Sequence, residues 1–330
     1  MIAQLTGDYI RNSFSKTYIR LLSYFFFEGR PATTSGQWFN PITFFFLRKA
    51  AASKIIPSAK KPVFITGTGR SGSTILGMVL SVHNQLGFMN EPKAIWNVAH
   101  PHDDLIGSYS KTEGRFFLTA ADAQESVKQK VLGIYSSFLR LTGVNFVVDK
   151  YPEMIFRVSF LNEIFDKPKF IFLYRNAWET ISSTAKWSTD HTDATASENW
   201  WGVENRKWKL LLEQLVPFDE FLSPHKNLVA AITSETDKAA VEWILTMNQG
   251  LKMMQQFPDQ VLPVSYEDLT TKTTSTLERI SGFCGLTTDS GMLNYAQKVL
   301  HPSKGNPNVE VHEVLKPAIA ELSLKLGYNA

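Results

Sequence analysis

The residues best suited to chemistry stand around three glycines. Gly67, Gly69 and Gly72 fall in "FITGTGRSGSTILGMVL" (64–80), after an apolar run and before a helical one. Glycine lets the backbone approach an anion closely, and a helix N-terminus offers unbonded N–H groups at a positive dipole end. Ser71, Ser73 and Thr74 add hydroxyl donors. The loop suits a phosphate. It departs from the G-x-x-x-x-G-K-[ST] loop of nucleoside triphosphatases, because Ser73 stands where lysine belongs and the strong cation is Arg70. A partner carboxylate for magnesium is also wanting: "VNFVVD" (144–149) ends in Asp149, but Lys150 follows at once. These residues favour an anion held by protein cations, with no metal.

A second group lies further on. In "FIFLYRNAWETISS", Arg175 ends a strand-like run and Ser183 sits eight residues later in the next helical stretch. An arginine fork with a hydroxyl can cradle a second phosphate. A nucleotide phosphorylated at both its 5′ and 3′ positions would need two such cradles.

Positioning these groups requires a sheet. "PVFIT" (62–66), "LGFM" (86–89), "VNFVVD" (144–149), "KFIFLY" (169–174) and "QVLPVS" (260–265) read as buried strands. Helical stretches separate them: 73–82, 119–140, 152–165, 177–187 and 236–256, with two more near 271–284 and 289–300. Asn90 and Pro92 mark another helix start. Continuous apolar strands alternating with helices predict an α/β, P-loop-like three-layer fold, with a central parallel β-sheet flanked by helices. Residues 1–60 read as an aromatic, partly helical lead-in packed on the core, with Phe14, Tyr18, Leu21, Leu22 and Phe25 at helix spacing. Residues 61–330 form the main domain, and a Trp-rich insertion at about 186–240 carries Trp187, Trp200, Trp201 and Trp208. Such an insertion is expected to line or cover an acceptor site.

The ordered segments resemble the sulfotransferases that use 3′-phosphoadenosine 5′-phosphosulfate (PAPS). "TGTGRSGST" is similar to their 5′-phosphosulfate loop, and "YRNAWETISS" to their 3′-phosphate segment. "VLPVSYEDL" (261–269) is similar to a later strand whose tyrosine, here Tyr266, lies near the adenine. The arginine loop, with "NEP" and "DKYP" between the two cradles, resembles the tyrosylprotein, glycan and bacterial branches more than the cytosolic phenol and steroid branch. The resemblance implies a donor site of Arg70, Ser71, Gly72, Ser73, Thr74, Arg175, Ser183 and Tyr266. It also implies catalytic roles for Arg70, Lys150 and Glu91. Negative charge grows on the bridging oxygen of the departing 3′,5′-bisphosphate, where Arg70 and Lys150 are the cations expected to meet it. Glu91, in "MNEPKAIW", is the expected general base; its other reading is support for the helix after Pro92. The chain departs from the family in two places. Ile75 replaces a stacking tryptophan after the loop, and "SKG" (303–305) replaces an R-K-G loop, so Lys304 is the expected 3′-phosphate ligand there.

The expected activity moves a sulfuryl group from PAPS to a hydroxyl or amine of a small molecule, such as a natural product, with no metal. A glycan or lipid headgroup is the next acceptor. A P-loop-type kinase and a non-catalytic nucleotide-binding module are the rival readings. "AHPHDD" (99–104) looks metal-like, but two histidines at i, i+2 across a proline fit a loop better. His191 and Asp193 could form an alternative base pair, or a polar lid.

Composition sets the outer limits. The 330 residues are 44% hydrophobic and 20% charged, which suits a large globular domain. A net charge of +3 without a long Lys/Arg run gives no case for nucleic acid. The single cysteine, Cys284, excludes an internal disulfide and suits a reducing, cytoplasmic setting; its apolar context reads as a buried thiol. "YIRLLSYFFF" (18–27) and "ITFFFLRKAAA" (42–52) are too short to span a bilayer, and no signal-peptide arrangement stands before them. A soluble protein is expected, with peripheral membrane contact through these aromatics left open. The oligomeric state leaves no mark in the sequence.

Overall fold

The computed structural model describes residues 2–29, 37–191, 199–303 and 308–329. Five strands form one sheet: β1 Val63–Gly67, β2 Leu86–Asn90, β3 Phe146–Lys150, β4 Lys169–Tyr174 and β5 Val261–Ser265. Their spatial order is β2-β3-β1-β4-β5, and every pair is parallel. Each lies within a residue or two of its sequence expectation. The strands are apolar on both faces because both faces are covered. Phe64, Met89, Val147, Phe170 and Phe172 enter one core cluster. Their alternates Val63, Ile65, Phe88, Val148 and Ile171 enter the other.

This order puts β1 in the centre. From β1 the chain leaves through the helix Ser73–Val82 toward β2, and β4 lies on the other side of β1. The direction of winding thus changes between β1 and β4, and a crevice opens at their carboxyl ends, where ligands of such sheets bind. The loop after β1 carries Arg70 and the turn after β4 carries Arg175.

Residues 152–165, expected as one helix, are a 3-10 turn Pro152–Phe156 and a helix Val158–Ile164. The break falls at Arg157, whose backbone is non-helical at φ −128° and ψ 21°. Its side chain is fully buried, pairs with Asp103, and donates to the carbonyls of Phe116 at 3.1 Å and Arg115 at 2.8 Å. Those inward bonds outweigh continuation of the helix. The helix expected at 119–140 begins later, at Glu125, after a 3-10 turn Ala120–Asp122 closed by a reciprocal cap between Thr119 and Asp122.

The N-terminal residues are tied to the sheet. The helix Phe14–Leu22 runs into a π-helical turn Ser23–Phe27, and Arg20 and Glu28 form a fully buried ion pair of 2.6 Å. Arg20 also donates to the Phe88 carbonyl at 2.6 Å, and the Asn90 N–H donates to Glu28 at 2.9 Å. The end of β2 is therefore fixed by a residue some sixty positions earlier in the chain. In the expected insertion, Trp201 and Trp208 are buried against each other, edge to face at 5.7 Å, near the helix Arg206–Gln214. Among the described residues no helix is long and apolar enough to cross a membrane.

Candidate active site

A cavity of about 630 Å³ opens at the carboxyl end of the sheet. The loop after β1 forms one wall. Gly67 at φ 136° and Gly72 at φ 92° hold conformations that favour glycine. A Cβ at Gly67 would stand 2.1 Å from the Leu173 carbonyl oxygen, one at Gly69 2.4 Å from the Trp200 ring, and one at Gly72 2.4 Å from the Tyr266 ring. The loop is thus pressed between two aromatic side chains, and its glycines are required by contact as well as by torsion. Ser73 opens the helix Ser73–Val82, and Ser73 and Thr74 of its first turn, where N–H groups lack helical partners, line the cavity.

Arg70 and Arg175 meet across this loop. Arg70 Nε donates to Ser183 Oγ at 3.1 Å. Arg175 donates to the Arg70 carbonyl at 3.3 Å and to Ser303 Oγ at 2.9 Å. Its guanidinium lies 4.7 Å from the Tyr266 ring centre and pairs with Glu179 at 2.9 Å. Burial, then the neighbouring Arg175 charge, lower the Arg70 pKa. Two cations brought this close call for an anion between or beside them.

On the opposite wall, β2 and β3 end side by side. The Glu91 N–H donates to the Lys150 carbonyl at 2.6 Å, and the Lys150 ammonium pairs with the Glu91 carboxylate. Lys93 stands 3.6 Å from the same carboxylate. Arg70 at φ 66° and Glu91 at φ 50° both hold left-handed backbone. A non-glycine residue adopts it at a cost of about 1–3 kcal/mol, a strain that gathers at functional sites. The alternation of β3 sends Lys150 to the cavity and Asp149 into the core. There Asp149 accepts from Tyr135 at 2.5 Å and Trp96 at 3.0 Å.

Of the residues expected at a site, Arg70, Gly72, Ser73, Thr74, Glu91, Lys150, Arg175, Ser183 and Tyr266 all line this one cavity. The Ser71 hydroxyl does not. It is buried and donates to the Thr68 carbonyl at 2.7 Å, which leaves Ser71 only its backbone to offer a ligand. Lys304 and Asp193 lie outside the described residues. His191 reaches the cavity stacked on Trp187, with ring centres 4.2 Å apart. The residues of "AHPHDD" serve the loop: Asp103 pairs with Arg157, and Asp104 accepts the N–H groups of Gly107, Tyr109 and Ser110 at 2.6–3.0 Å. Among the described residues no three of His, Cys, Asp and Glu are grouped to hold a metal. Cys284, expected buried, is only partly so.

Trp187 and Trp200 of the Trp-rich insertion line the cavity, but the ion cluster beside Trp200 was not foreseen in the sequence. Lys207 Nζ lies 3.1 Å from Glu153 and 2.6 Å from Glu242, and Trp200 Nε1 donates to Glu242 at 2.7 Å. Burial would lower the Lys207 pKa, but the Glu242 and Glu153 carboxylates outweigh it and raise it. The apolar walls here are Ile106, Phe116, Phe156 and Leu211. One signal was present: Glu242 interrupts the apolar run "AAVEWIL", where a carboxylate needs a buried partner.

The chain is similar to known proteins in both sequence and fold. The profile of the Sulfotransferase family matches residues 62–226, half of the chain. The sulfotransferase domain of the olefin synthase of Synechococcus PCC 7002 superposes with a TM-score of 0.50 at 19% identity, over 82% of this chain and 97% of that one. A sulfotransferase from Mycobacterium avium does so with a TM-score of 0.50 at 11% identity, over 96% of this chain and 86% of that one. At such identities the structural likeness speaks for the fold alone. No curated protein matches the chain in sequence.

Proposed function

The chain belongs to the sulfotransferase family, and from that premise we propose that it moves a sulfuryl group from PAPS to a hydroxyl or amine of a small molecule with an apolar body. One observation carries the donor assignment: Arg70 and Arg175 converge from the ends of β1 and β4 beside a glycine cradle, each with a serine hydroxyl at hand. Two adjacent cations with hydroxyls beside them fit a nucleotide that carries more than one phosphate. Bound there, PAPS would supply an activated sulfuryl group on its 5′-phosphate.

The chain's own groups do the rest. The 5′-phosphate would rest against the helix that opens at Ser73, beside the Ser73 and Thr74 hydroxyls that line the cavity. Arg175, with Ser303 beside it and Ser183 on the helix that follows, holds the 3′-phosphate, and Tyr266 gives the adenine a flat neighbour. The apolar walls at Ile106, Phe116, Phe156 and Leu211 receive the acceptor body and keep water from the reacting groups. Glu91 takes the acceptor's proton. Its carboxylate is paired with Lys150, so protonation weakens that pair. The Lys150 ammonium can then turn, with Arg70, to the bridging oxygen where negative charge grows. Proton removal and leaving-group stabilisation are coupled through one contact.

Calorimetry with adenosine 3′,5′-bisphosphate and with Mg-ATP tests the donor assignment. Bisphosphate binding that falls at least tenfold in Arg175→Ala is expected, a loss of about 1.4 kcal/mol. Tight Mg-ATP binding with no bisphosphate binding would overturn it in favour of a kinase. An acceptor screen with labelled PAPS then separates an enzyme acting on small molecules from one acting on glycans or lipid headgroups.

A further inference from the structure

Charge is distributed unevenly along the chain. Residues 29–69 hold six Lys or Arg and no Asp or Glu. Within this stretch the helix Asn40–Ala51 buries Thr43, Leu47, Ala50 and Ala51. Its other face is apolar and exposed at Ile42, 49%, and Phe45, 62%, and the 3-10 turn Gln37–Phe39 before it adds Trp38, 77% exposed. Spacings of four and three residues align the three side chains in one stripe. Arg48 and Lys49 continue it, with Lys49 Nζ 5.7 Å from the Phe45 ring centre.

Beside the stripe lies a second cavity, of about 350 Å³. It is bounded by this helix, the helix Lys93–Ala99 and the helix Glu125–Thr142, and lined by Phe44, Arg48, Ala51, Asn97, Val98 and Lys130. Its polar lining is two cations and an amide, with no carboxylate. Among the described residues Arg48, Lys49, Lys54 and Lys130 take part in no ion pair, although the fold pairs many other lysines and arginines. The Arg140 guanidinium bonds the Lys54 carbonyl and so adds to the positive charge at the end of the helix.

We propose that this face docks on a bilayer rich in anionic phospholipid. Trp38, Ile42 and Phe45 enter the boundary between headgroups and acyl chains, and Arg48 and Lys130 receive a lipid phosphate in the second cavity. Apolar insertion alone gives weak, reversible attachment, and a basic surface supplies the second attraction that stable binding needs. Both parts are present on this one helix. A second copy of the chain is a poorer occupant, because burying the apolar stripe would bring no anion to Arg48 and Lys130 in the second cavity. The donor site plays no part in this inference, and either can fail without the other.

Co-sedimentation of the whole chain with vesicles tests it, using phosphatidylcholine alone and phosphatidylcholine mixed with phosphatidylglycerol, at low and high salt. Binding to the mixed vesicles about tenfold tighter, and weakened by salt, is expected. Trp38→Ser/Ile42→Ser/Phe45→Ser should lose binding to both vesicles, and Arg48→Glu/Lys130→Glu should lose the preference for the anionic ones. Unchanged Tm and far-ultraviolet circular dichroism will report an intact fold. Equal binding to the two vesicles, or anionic binding untouched by either variant, overturns the proposal. So does a stripe-dependent dimer in sedimentation velocity without vesicle binding, which would give the face to a second copy.

Discussion

The contact between Glu91 and Lys150 joins a carboxylate to a cation at the ends of adjacent strands. If it couples the two halves of transfer, the two side chains differ in what their loss does. Glu91→Gln keeps the shape and removes the base, so kcat should fall by about 10²–10⁴, with bisphosphate affinity within a few-fold of the parent. Lys150→Ala should lower kcat too, and Lys150→Arg should recover part of it. A Glu91→Gln enzyme with more than half the parental kcat would remove Glu91 from the base role. Both residues were legible in the sequence, because they follow strand-like runs that had to end near the glycine loop. Lys207 was not legible. Nothing in "RKWKLLL" sets Lys207 apart from Lys209, and its partners Glu153 and Glu242 lie on other elements.

The strand β3 does two things at once, because successive side chains point to opposite faces. Asp149, beside Lys150, is fully buried, and its Oδ1 finds no hydrogen-bond partner among the described residues. Burial pushes its carboxyl up to about 7, against the opposing pull of the Tyr135 and Trp96 donors. In the unfolded chain an aspartate ionises near about 4. Between those values the folded state holds the extra proton, so this group's contribution to stability falls as pH rises from about 4 to about 7 and stays low above. The side-chain amide of an Asp149→Asn variant cannot ionise, and it keeps an oxygen for both donors. The variant's stability relative to the parent should therefore improve across that window, by on the order of 3 kcal/mol. Urea unfolding at pH 5 and pH 8 measures this, and a difference that does not change with pH would mean that Asp149 is ionised without cost. The strands and their order along the chain were readable because apolar runs bounded by glycine and proline leave little choice. The break at Arg157 and the buried Arg20–Glu28 pair were not, since both depend on partners distant in sequence or on the sheet itself.

At the scale of the molecule, the proposed donor site is where distant parts of the chain close on one another. Gly72 comes from the loop after β1, Arg175 from the end of β4, Tyr266 from the end of β5, Ser303 from the C-terminal part, and Trp200 from the Trp-rich region. A ligand that binds only the folded chain stabilises it by mass action, by about 2.7 kcal/mol at a concentration of 100 Kd. Adenosine 3′,5′-bisphosphate should therefore raise Tm by several degrees, and Mg-ATP at the same concentration should raise it far less. Two variants separate binding from folding. Arg175→Ala leaves the largely buried Glu179 without its cation, so it should lower the ligand-free Tm somewhat, and it should abolish most of the shift. Arg20→Met leaves Glu28 buried without its cation, which costs about 3–5 kcal/mol. It should lower the ligand-free Tm while keeping the shift, because Glu28 supports the end of β2 and not the donor loop. If Arg20→Met abolished the shift as fully as Arg175→Ala, the N-terminal residues would have to be counted as part of the donor site, and the assignment of that site to the ends of β1 and β4 alone would fail.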